Sequence, residues 1–491
     1  MGKFILAIIG ILAVIVSGII IAKTGTLSLA IIPFILAAIV VGFLILQNPF
    51  FGFLLIIFFL PFERVPTLEF GGINIKINTV LGFLTLFSWV LSLIFNGKKR
   101  SPAGEAGKIQ PNFLFLPLMF FILGLGVSLT QANNLDRALQ VFIFTLFTIA
   151  LSVLAVNMIP DISNLKKTIL VLLTSGLVVG IFGLFQFGGD VIGLPRSITL
   201  LKTGYTSQIF GFPRIQAFSM EPLYFANYLL IPLSLALAYF FGKVNIFQKE
   251  ERNGSRSFWL LIVLLVLLLI NFVLTVSRGG YFGFAATLLV FIIFYFKKLF
   301  TWRNLAIVIV IGLVYWGVSF ALSQSKGRAL SQFIGHATLQ DISRGESIQG
   351  RLMTFNKAID VFKKNMTLGI GLGNYGPWVK GYPLQPPPTG WDIVNNQYIE
   401  LGVETGLVGL ITFGLLLFVL IMRSLLALRV ANEPFLRATL IGLLAAFIGV
   451  LVQFNFFSTL YIIHIWILIG LLVAVQNLVF KNSKLKTQMS K

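Results

Sequence analysis

The sequence predicts an all-α, polytopic membrane protein with about 12–14 transmembrane helices, and three observations predict it. Of its 491 residues, 57% are hydrophobic and only 11% are charged, which leaves too little polar surface for a soluble domain. Apolar runs close to the ~20 residues that cross a hydrocarbon core recur from end to end. These runs do not alternate as barrel strands would, so helices are the expected spanning form.

Fourteen apolar runs are candidate spans. They lie near 4–22, 27–46, 50–61, 79–95, 113–130, 138–158, 168–187, 223–241, 258–276, 281–296, 305–323, 406–423, 438–457 and 461–480. The 50–61 run is short and is equally compatible with a half-helix, so about twelve spans is the alternative count. The first run is long for a signal peptide and is followed directly by another, which favours a membrane helix over a cleaved signal.

The net charge of +21 comes from lysine and arginine residues in the loops between the predicted spans and in the C-terminal tail. Basic residues gather after even-numbered spans, for example in 98–100, 243–256 and 481–491. Such loops face the cytoplasm in multi-pass proteins, so both termini are predicted there and no nucleic-acid partner is expected. The outer side then receives 62–78, 188–222 and one large extracytoplasmic loop, 324–405. Loops this long are usually functional or disordered.

The large loop favours folding over disorder. Within 351–364, four apolar residues share one helical face; they are Leu352, Phe355, Ile359 and Phe362. Further on, 371–376 matches GxGxxG. No strand precedes it and no βαβ unit surrounds it, so we interpret it as a turn after the amphipathic helix and not as a dinucleotide site.

Two arginines beside predicted helix starts are candidate anion-binding residues. Arg278 lies in Thr-Val-Ser-Arg-Gly-Gly, where the free N–H groups of the next helix would point outward beside it. The alternative is an arginine snorkelling from a helix end. Arg214 precedes another span, at whose start Glu221 and Pro222 suit the first turn. There the alternative is a helix cap with a solvated arginine.

Three further positions are weaker candidates. Arg351 opens the amphipathic helix and could be a surface charge. Asn395 begins a segment in which Asn396, Glu400 and Glu404 are spaced to stack on one helix face, although a solvated face explains that spacing nearly as well. The chain has no cysteine and two histidines. Neither His336 nor His464 belongs to a metal motif, and His464 is expected to be a packed or hydrogen-bonded residue, so no metal or cofactor is predicted.

Outer-side arginines near helix ends suit a diphosphate carried on a lipid, because the membrane would hold the tail while loops hold the headgroup. Cationic side chains could stabilise a leaving diphosphate without a metal, and loop aromatics could stack on sugars.

Four ordered segments carry a family resemblance: Arg-Ile-Gln-Ala-Phe-Ser-Met-Glu-Pro (214–222), Ser-Arg-Gly-Gly (277–280), Gly-Arg-Leu to Leu-Gly-Asn-Tyr (350–375) and Asn-Asn-Gln-Tyr-Ile-Glu-Leu-Gly-Val-Glu-Thr-Gly-Leu-Val-Gly (395–409). In order, spacing and outer placement they resemble the O-antigen ligase and polymerase family of bacterial membrane glycosyltransferases. The resemblance covers about 190–425. It divides the chain into N-terminal helices (1–187), a ligase/polymerase-like core (188–425) and C-terminal helices with a basic tail (426–491).

The resemblance implies a C-type glycosyltransferase fold in the bacterial inner membrane. It implies a donor glycan on undecaprenyl diphosphate and metal-independent, inverting transfer to a glycan or lipid-glycan acceptor on the outer leaflet. Export or chain-length proteins are possible further partners. Arg214 and Arg278 would hold the diphosphate, and Arg351 would help with the donor or the loop fold.

One departure concerns the base. Family ligases typically have His-Asn where this chain has Asn395-Asn396, and an asparagine cannot accept a proton as histidine does. Glu221 and Glu400 are the nearest substitutes, and we hypothesise Glu221 because it shares a motif with Arg214. Alternatively, the diphosphate departs early and little base help is needed.

The missing histidine favours a polymerase of exopolysaccharide, capsule or O-antigen over a ligase. Two other classes stay open: a transporter or flippase for a lipid-linked glycan or small anion, and a scaffold for polysaccharide export. Transporters usually bind substrates near the midplane, whereas the charges here cluster at the predicted outer surface, which favours the enzyme.

Overall fold

The structure is a computed structural model and describes residues 38–64, 67–70, 73–95, 110, 112–210, 212–246, 254–299, 346–383, 385–387 and 390–489. The predicted fold class is confirmed. In the described part, eight helices are long and apolar enough to cross a membrane, and four shorter apolar helices accompany them. The predicted spans 4–22 and 305–323, and most of 27–46, lie outside the described residues, as does His336.

The longer helices follow one another along the chain. They are α1 (Ala38–Gln47), α2 (Pro49–Phe59), α3 (Ile77–Phe95), α4 (Phe115–Ser128), α5 (Leu135–Met158), α6 (Ile162–Val191), α7 (Pro222–Gly242), α8 (Gly254–Leu274), α9 (Arg278–Leu299), α10 (Glu346–Lys364), α11 (Gln397–Val430), α12 (Pro434–Gln453) and α13 (Ile463–Met489). Two short strands, β1 (Thr67–Phe70) and β2 (Ile73–Lys76), form an antiparallel hairpin that leads directly into α3.

Helix α2 is the short run predicted at 50–61. Asn48 caps it by accepting hydrogen bonds from the backbone N–H groups of Phe50 and Phe51, and Pro49 suits its first turn. Nearly all of its side chains are buried inside the protein. Because it is too short to cross a bilayer and is surrounded by other helices, α2 acts as an internal half-length helix. Because α2 ends near Pro61, the residues that follow it, including Glu63 and Arg64, lie at one end of the bundle.

Several connections meet at that end, which we call the site end. The backbone N–H of Glu63, after α2, donates to the carbonyl of Phe218, before α7, at 3.2 Å. The N–H of Ile215 donates to the carbonyl of Leu274, at the end of α8, also at 3.2 Å. Segments distant in sequence are thus joined by backbone hydrogen bonds, which leaves few of their polar groups unsatisfied.

The start of α11 is tied to the same end. The N–H of Gln397 donates to the carbonyl of Phe454 at 2.7 Å, and its side-chain oxygen accepts from the N–H of Thr459 at 2.6 Å. The side-chain oxygen of Asn374 accepts from the N–H of Asn134, before α5, at 2.8 Å. These bonds fix the connection after α10 against the membrane helices. The chain is helical from 397, nine residues before the predicted span at 406.

A glycine turn explains how α11 begins before the predicted span at 406. Gly406 interrupts the helix with φ of 64°, a conformation that favours glycine. The next N–H, of Leu407, donates to the carbonyl of Met366 at 2.7 Å. A Cβ at Gly406 would overlap the carbonyl of Thr367. The GxGxxG segment lies in the turns after α10, and the N–H of its Gly371 donates to a carbonyl of α11 at 3.0 Å.

We therefore expect Gly406→Ala to destabilise the protein by more than about 2 kcal/mol, because it combines backbone strain with an atomic overlap. Gly414→Ala is the matched control. It lies in the same helix, where a Cβ meets nothing within 4 Å, and alanine there should be neutral or stabilising by up to about 1 kcal/mol. Thermal unfolding of the two variants in detergent measures the difference. Equal melting temperatures would contradict the close approach at Gly406.

Candidate functional site

The segment before α7 is held by packing on both faces. The ring of Phe218 is stacked between Phe62, with centroids 4.5 Å apart, and Phe182, with centroids 4.2 Å apart. Stacked aromatic pairs add to the stability gained from their buried area. The buried side chain of Gln186 accepts a hydrogen bond from the N–H of Ala217 at 2.9 Å. The predicted arginine motif is thus presented by a rigid segment.

Arg214 joins this segment to the turn between α8 and α9. Its Nη2 donates to the carbonyl of Val276 at 2.9 Å and its Nε to that of Thr275 at 3.4 Å, while its guanidinium lies 5.5 Å from the ring centre of Tyr205. Arg278 starts α9 two residues later and acts electrostatically on Arg214. The structure therefore brings together the two arginines proposed from the sequence.

Three non-glycine residues at this place have left-handed backbone conformations. Their φ angles are 55° at Leu200, 46° at Ala217 and 46° at Val276. Such conformations cost about 1–3 kcal/mol each and often occur at functional sites, where the surrounding structure holds them. Two of the three carbonyls accept hydrogen bonds from guanidinium groups: that of Leu200 from Arg64 and that of Val276 from Arg214.

Burial disfavours the charged forms of three cations at this place. Burial lowers the pKa of Arg64, and burial also lowers the pKa of Arg214, an effect to which the neighbouring Arg278 adds. The pKa of Lys202 is lowered by burial and by Arg64, while Glu221 partly opposes both. A lowered pKa of a basic group means that its charged form is destabilised by lost hydration and by neighbouring positive charges. An anion bound among these groups would relieve both costs.

Glu221 is the acidic member of the cluster. It is the N-cap residue of α7, but its exposed side chain makes no capping hydrogen bond. Tyr205 shares a side-chain hydrogen bond with it. Burial, followed by the charge of Glu221, raises the pKa of Tyr205 to about 12. The phenol therefore keeps its proton at neutral pH and donates to the carboxylate.

Glu221 also faces a cavity of about 260 Å³ at the site end. The cavity is lined by Leu60, Glu63, Lys76, Asn78, Phe144, Met220, Glu221, Tyr224, Tyr461, Ile462 and Ile463. The lining is mixed, with apolar walls and a few polar groups, which is typical of small-ligand sites. We call it the glutamate cavity. It lies beside the cation cluster, because Glu221 belongs to both.

A second, smaller cavity of about 50 Å³ lies at the start of α11. Glu400 accepts from the N–H of Val394 at 2.7 Å, and Glu404 accepts from the N–H of Tyr375 at 3.2 Å. Both carboxyl groups are buried, so the alternative of a solvated face is wrong. Arg137, from α5, lines the cavity and acts electrostatically on both. Glu400 is therefore held by a backbone hydrogen bond and faces the smaller cavity together with Arg137.

The remaining candidates have other places. Asn395 adopts φ of 59°, which asparagine tolerates better than most residues, and it is not among the residues lining either cavity. Asn396 is the N-cap of α11, accepting from the N–H groups of Tyr398 and Ile399 at 3.1 Å each. Arg351 lies in α10, and its side chain is outside the described part of the chain.

Sequence reasoning missed Arg64, Lys202, Tyr205 and Glu63. Each lies in a connection that was predicted to be on the outer side, but none belongs to a recognisable motif. The adjacent Glu63 and Arg64 directly follow the half-length apolar run. A charged pair at the end of a helix too short to reach the opposite surface is the signal that could have identified them.

Comparison with known families gives one match. A family model described as O-antigen ligase matches residues 263–414, from within α8 to the first half of α11. Residues 263–414 are similar to the O-antigen ligase family, and this match supports an O-antigen ligase family protein. The match includes Arg278 and Glu400, and it supports glycan transfer of the O-antigen ligase/polymerase type by a multi-pass membrane protein. The predicted family resemblance is confirmed. No curated protein matches the chain.

The cation cluster predicts diphosphate binding. We expect inorganic pyrophosphate to raise the melting temperature of the detergent-solubilised protein, because a ligand that binds only the folded state stabilises it. The effect should disappear in Arg278→Ala and fall as salt increases. It should also weaken as pH rises through the lowered pKa of Lys202, since the neutral amine no longer attracts an anion.

Arg429→Ala is the matched control. This exposed arginine lies at the far end of α11, so its removal should leave the pyrophosphate effect intact. An equal shift in wild type and Arg278→Ala would contradict the assignment of the cluster.

Proposed function

We propose that the protein transfers or polymerises oligosaccharide units from undecaprenyl diphosphate on the outer leaflet of a bacterial inner membrane. The observation that carries the proposal is the electrostatically connected cluster of Arg64, Lys202, Arg214 and Arg278 around Glu221. A diphosphate leaving group develops negative charge as its bond to the sugar breaks. Preorganised cations at a helix start stabilise such charge without reorganising during the reaction.

The reaction is a single displacement at the anomeric carbon of the donor. An acceptor hydroxyl forms the new C–O bond on one face while the bond to the diphosphate breaks on the other, which inverts the configuration. The hydroxyl proton passes to a carboxylate, and the electron pair of the broken bond stays on the diphosphate. In this proposal Arg214 and Arg278 hold the diphosphate, and cationic side chains serve where other transferases use a metal.

Glu221 is the proposed general base. Its carboxylate lies between the cation cluster and the glutamate cavity, and Tyr205 orients it by donating a hydrogen bond. Glu400 is the weaker candidate, because its carboxylate is engaged by Val394 and faces the smaller cavity. Asn395 is proposed to shape the turn before α11, since its backbone conformation accounts for an asparagine there.

The proposed topology places the site end outside the cell and both termini in the cytoplasm. The basic loops support this orientation. Donor lipid would reach the cluster from the outer leaflet, and the acceptor would be a glycan or a lipid-linked glycan. Polymerisation of an exopolysaccharide, capsule or O-antigen is favoured over ligation, because the family histidine is replaced by Asn395.

The proposal predicts that Arg278→Ala lowers transfer by at least about 100-fold, the usual effect of removing one group that stabilises developing charge. The measurement is product formation by the full chain in nanodiscs with an undecaprenyl-diphosphate-linked oligosaccharide. Arg429→Ala should retain wild-type activity. Excess EDTA should leave the rate unchanged, and the product anomer should be opposite to that of the donor. Undiminished transfer by Arg278→Ala would sink the proposal.

The role of Glu221 is tested separately. We expect Glu221→Gln to lower the rate at saturating substrates by about 100-fold or more, because the amide cannot accept a proton. Pyrophosphate stabilisation should persist, since the arginines remain. Glu400→Gln in parallel decides between the two carboxylates. A larger loss of rate in Glu400→Gln than in Glu221→Gln would transfer the assignment to Glu400.

A further inference from the structure

The glutamate cavity contains buried hydrogen-bond acceptors without donors. Glu63 is only 6% exposed, and within the described residues neither of its carboxylate oxygens has a hydrogen-bond partner. The side-chain oxygen of Asn78, 3% exposed, is in the same condition, while its amide nitrogen donates to the carbonyl of Phe59 at 2.5 Å. Both residues line the cavity. Buried polar atoms of this kind usually have hydrogen-bond partners, so a ligand that donates hydrogen bonds would satisfy these oxygen atoms.

His464 does not supply the missing donor in its neutral form. Its Nε2 lies 2.6 Å from the side-chain oxygen of Asn227, whose own amide donates to Gln453 at 2.5 Å. The Nε2 hydrogen is therefore used by Asn227. The other ring nitrogen, Nδ1, lies 3.5 Å from Oε1 of Glu63. Two acceptors facing each other need a hydrogen between them, carried by the ring, by the carboxyl group or by a ligand hydroxyl.

His464 is buried and hydrogen-bonded, as the sequence predicted for it. The chain of hydrogen bonds behind it continues from Gln453 to the carbonyl of Gly280 at 3.5 Å, in the first turn of α9. The buried polar chain from His464 therefore ends two residues from Arg278, and Nδ1 at its other end faces the carboxylate of Glu63.

The cavity has the size and lining of a sugar subsite. Its volume of about 260 Å³ lies near the lower limit of ligand pockets, ~300 Å³, which suits one sugar ring and not a long glycan. Acceptor oxygens on one side match the hydroxyl groups of a sugar, which are donors. Tyr224 and Tyr461 on the wall offer aromatic surface, and such surface packs against the apolar face of a ring.

We propose that the glutamate cavity binds one sugar ring of the glycan substrate, with Glu63 and Asn78 accepting hydrogen bonds from its hydroxyls. Glu63 is then a specificity-determining residue. This inference rests on the proposed function for its substrate class. The ring could belong to the donor unit beside the diphosphate or to the acceptor, and kinetic measurements distinguish the two.

The experiment uses the full chain in nanodiscs. The binding probe is the lipid-free repeat oligosaccharide released by mild acid from the surface polysaccharide of the source cell, titrated by calorimetry. We expect Glu63→Gln to weaken its binding about 10- to 100-fold, since a hydrogen bond to a charged group contributes about 1.5–3 kcal/mol. Glu433→Gln is the matched control. Glu433 caps α12 at the opposite end of the bundle, and its variant should bind like wild type.

Transfer kinetics then locate the ring. If the sugar belongs to the acceptor, Glu63→Gln raises the KM for the acceptor; if it belongs to the donor, it raises the KM for the lipid-linked unit. Either result supports the subsite, provided that kcat falls far less than in Glu221→Gln. A fall in kcat with both KM values and probe binding unchanged overturns it and leaves Glu63 as a structural group.

A measurement on the wild-type protein covers the case in which Glu63→Gln fails to fold. A diazirine-bearing form of the same oligosaccharide is photolysed on the protein, and labelled peptides are mapped by mass spectrometry. Labels at 60–64, 76–78, 144, 220–224 or 461–463 support the subsite, and labels confined to other segments overturn it.

The two proposals fail in different ways. Wild-type transfer that is abolished by Arg278→Ala, together with unaltered probe binding in Glu63→Gln, overturns the subsite alone. Probe binding that is lost in Glu63→Gln, in a protein that transfers nothing, retains the sugar subsite and overturns the transferase.

Discussion

The site depends on the hydrogen bonds that Arg214 donates to the carbonyls of Thr275 and Val276. They join the segment before α7 to the turn that starts α9, and so bring Glu221 and Arg278 to one place. The guanidinium is well suited to this, because its planar fork can bind two carbonyls and still present positive charge to a third group. Lysine offers a single ammonium group and could not span the turn in the same way.

That bridge sets two regions side by side. In one, burial lowers the pKa values of Arg64, Lys202 and Arg214, and a neighbouring arginine adds to the effect at Lys202 and at Arg214, so a bound anion would favour their charged forms. In the other, oxygen atoms of Glu63 and Asn78 are buried without hydrogen-bond donors among the described residues, and hydroxyl groups would supply such donors. A sugar diphosphate combines both requirements in one molecule. The diphosphate would match the cations, and the sugar hydroxyls would match the buried oxygen atoms. This match gives a reason for one fold to contain both buried cations and buried acceptors.

The sequence predicted the helical membrane fold because hydropathy depends on composition and run length alone. Motifs beside predicted helix starts also singled out Arg214 and Arg278 as candidates, and the structure places the two arginines close enough to interact electrostatically. The sequence could not predict that Glu63 is buried beside a cavity. That position follows from the burial of the short helix α2, and the burial of α2 depends on the helices packed around it. The burial of Glu400 could not be predicted either. The residue spacing predicts which helix face carries Glu400, but whether that face is buried depends on its contacts with α5 and with the turns after α10.

The division of the site between distant segments limits what the family match can explain. Residues 263–414 contribute Arg278 and the carbonyls that Arg214 binds, but Glu63, Lys202 and Glu221 all lie upstream. The matched region therefore contains only one part of the proposed diphosphate site, and the remaining residues come from the connections before α3 and α7. A comparison confined to 263–414 would recognise the turn that starts α9 and would leave out the carboxylates of the glutamate cavity.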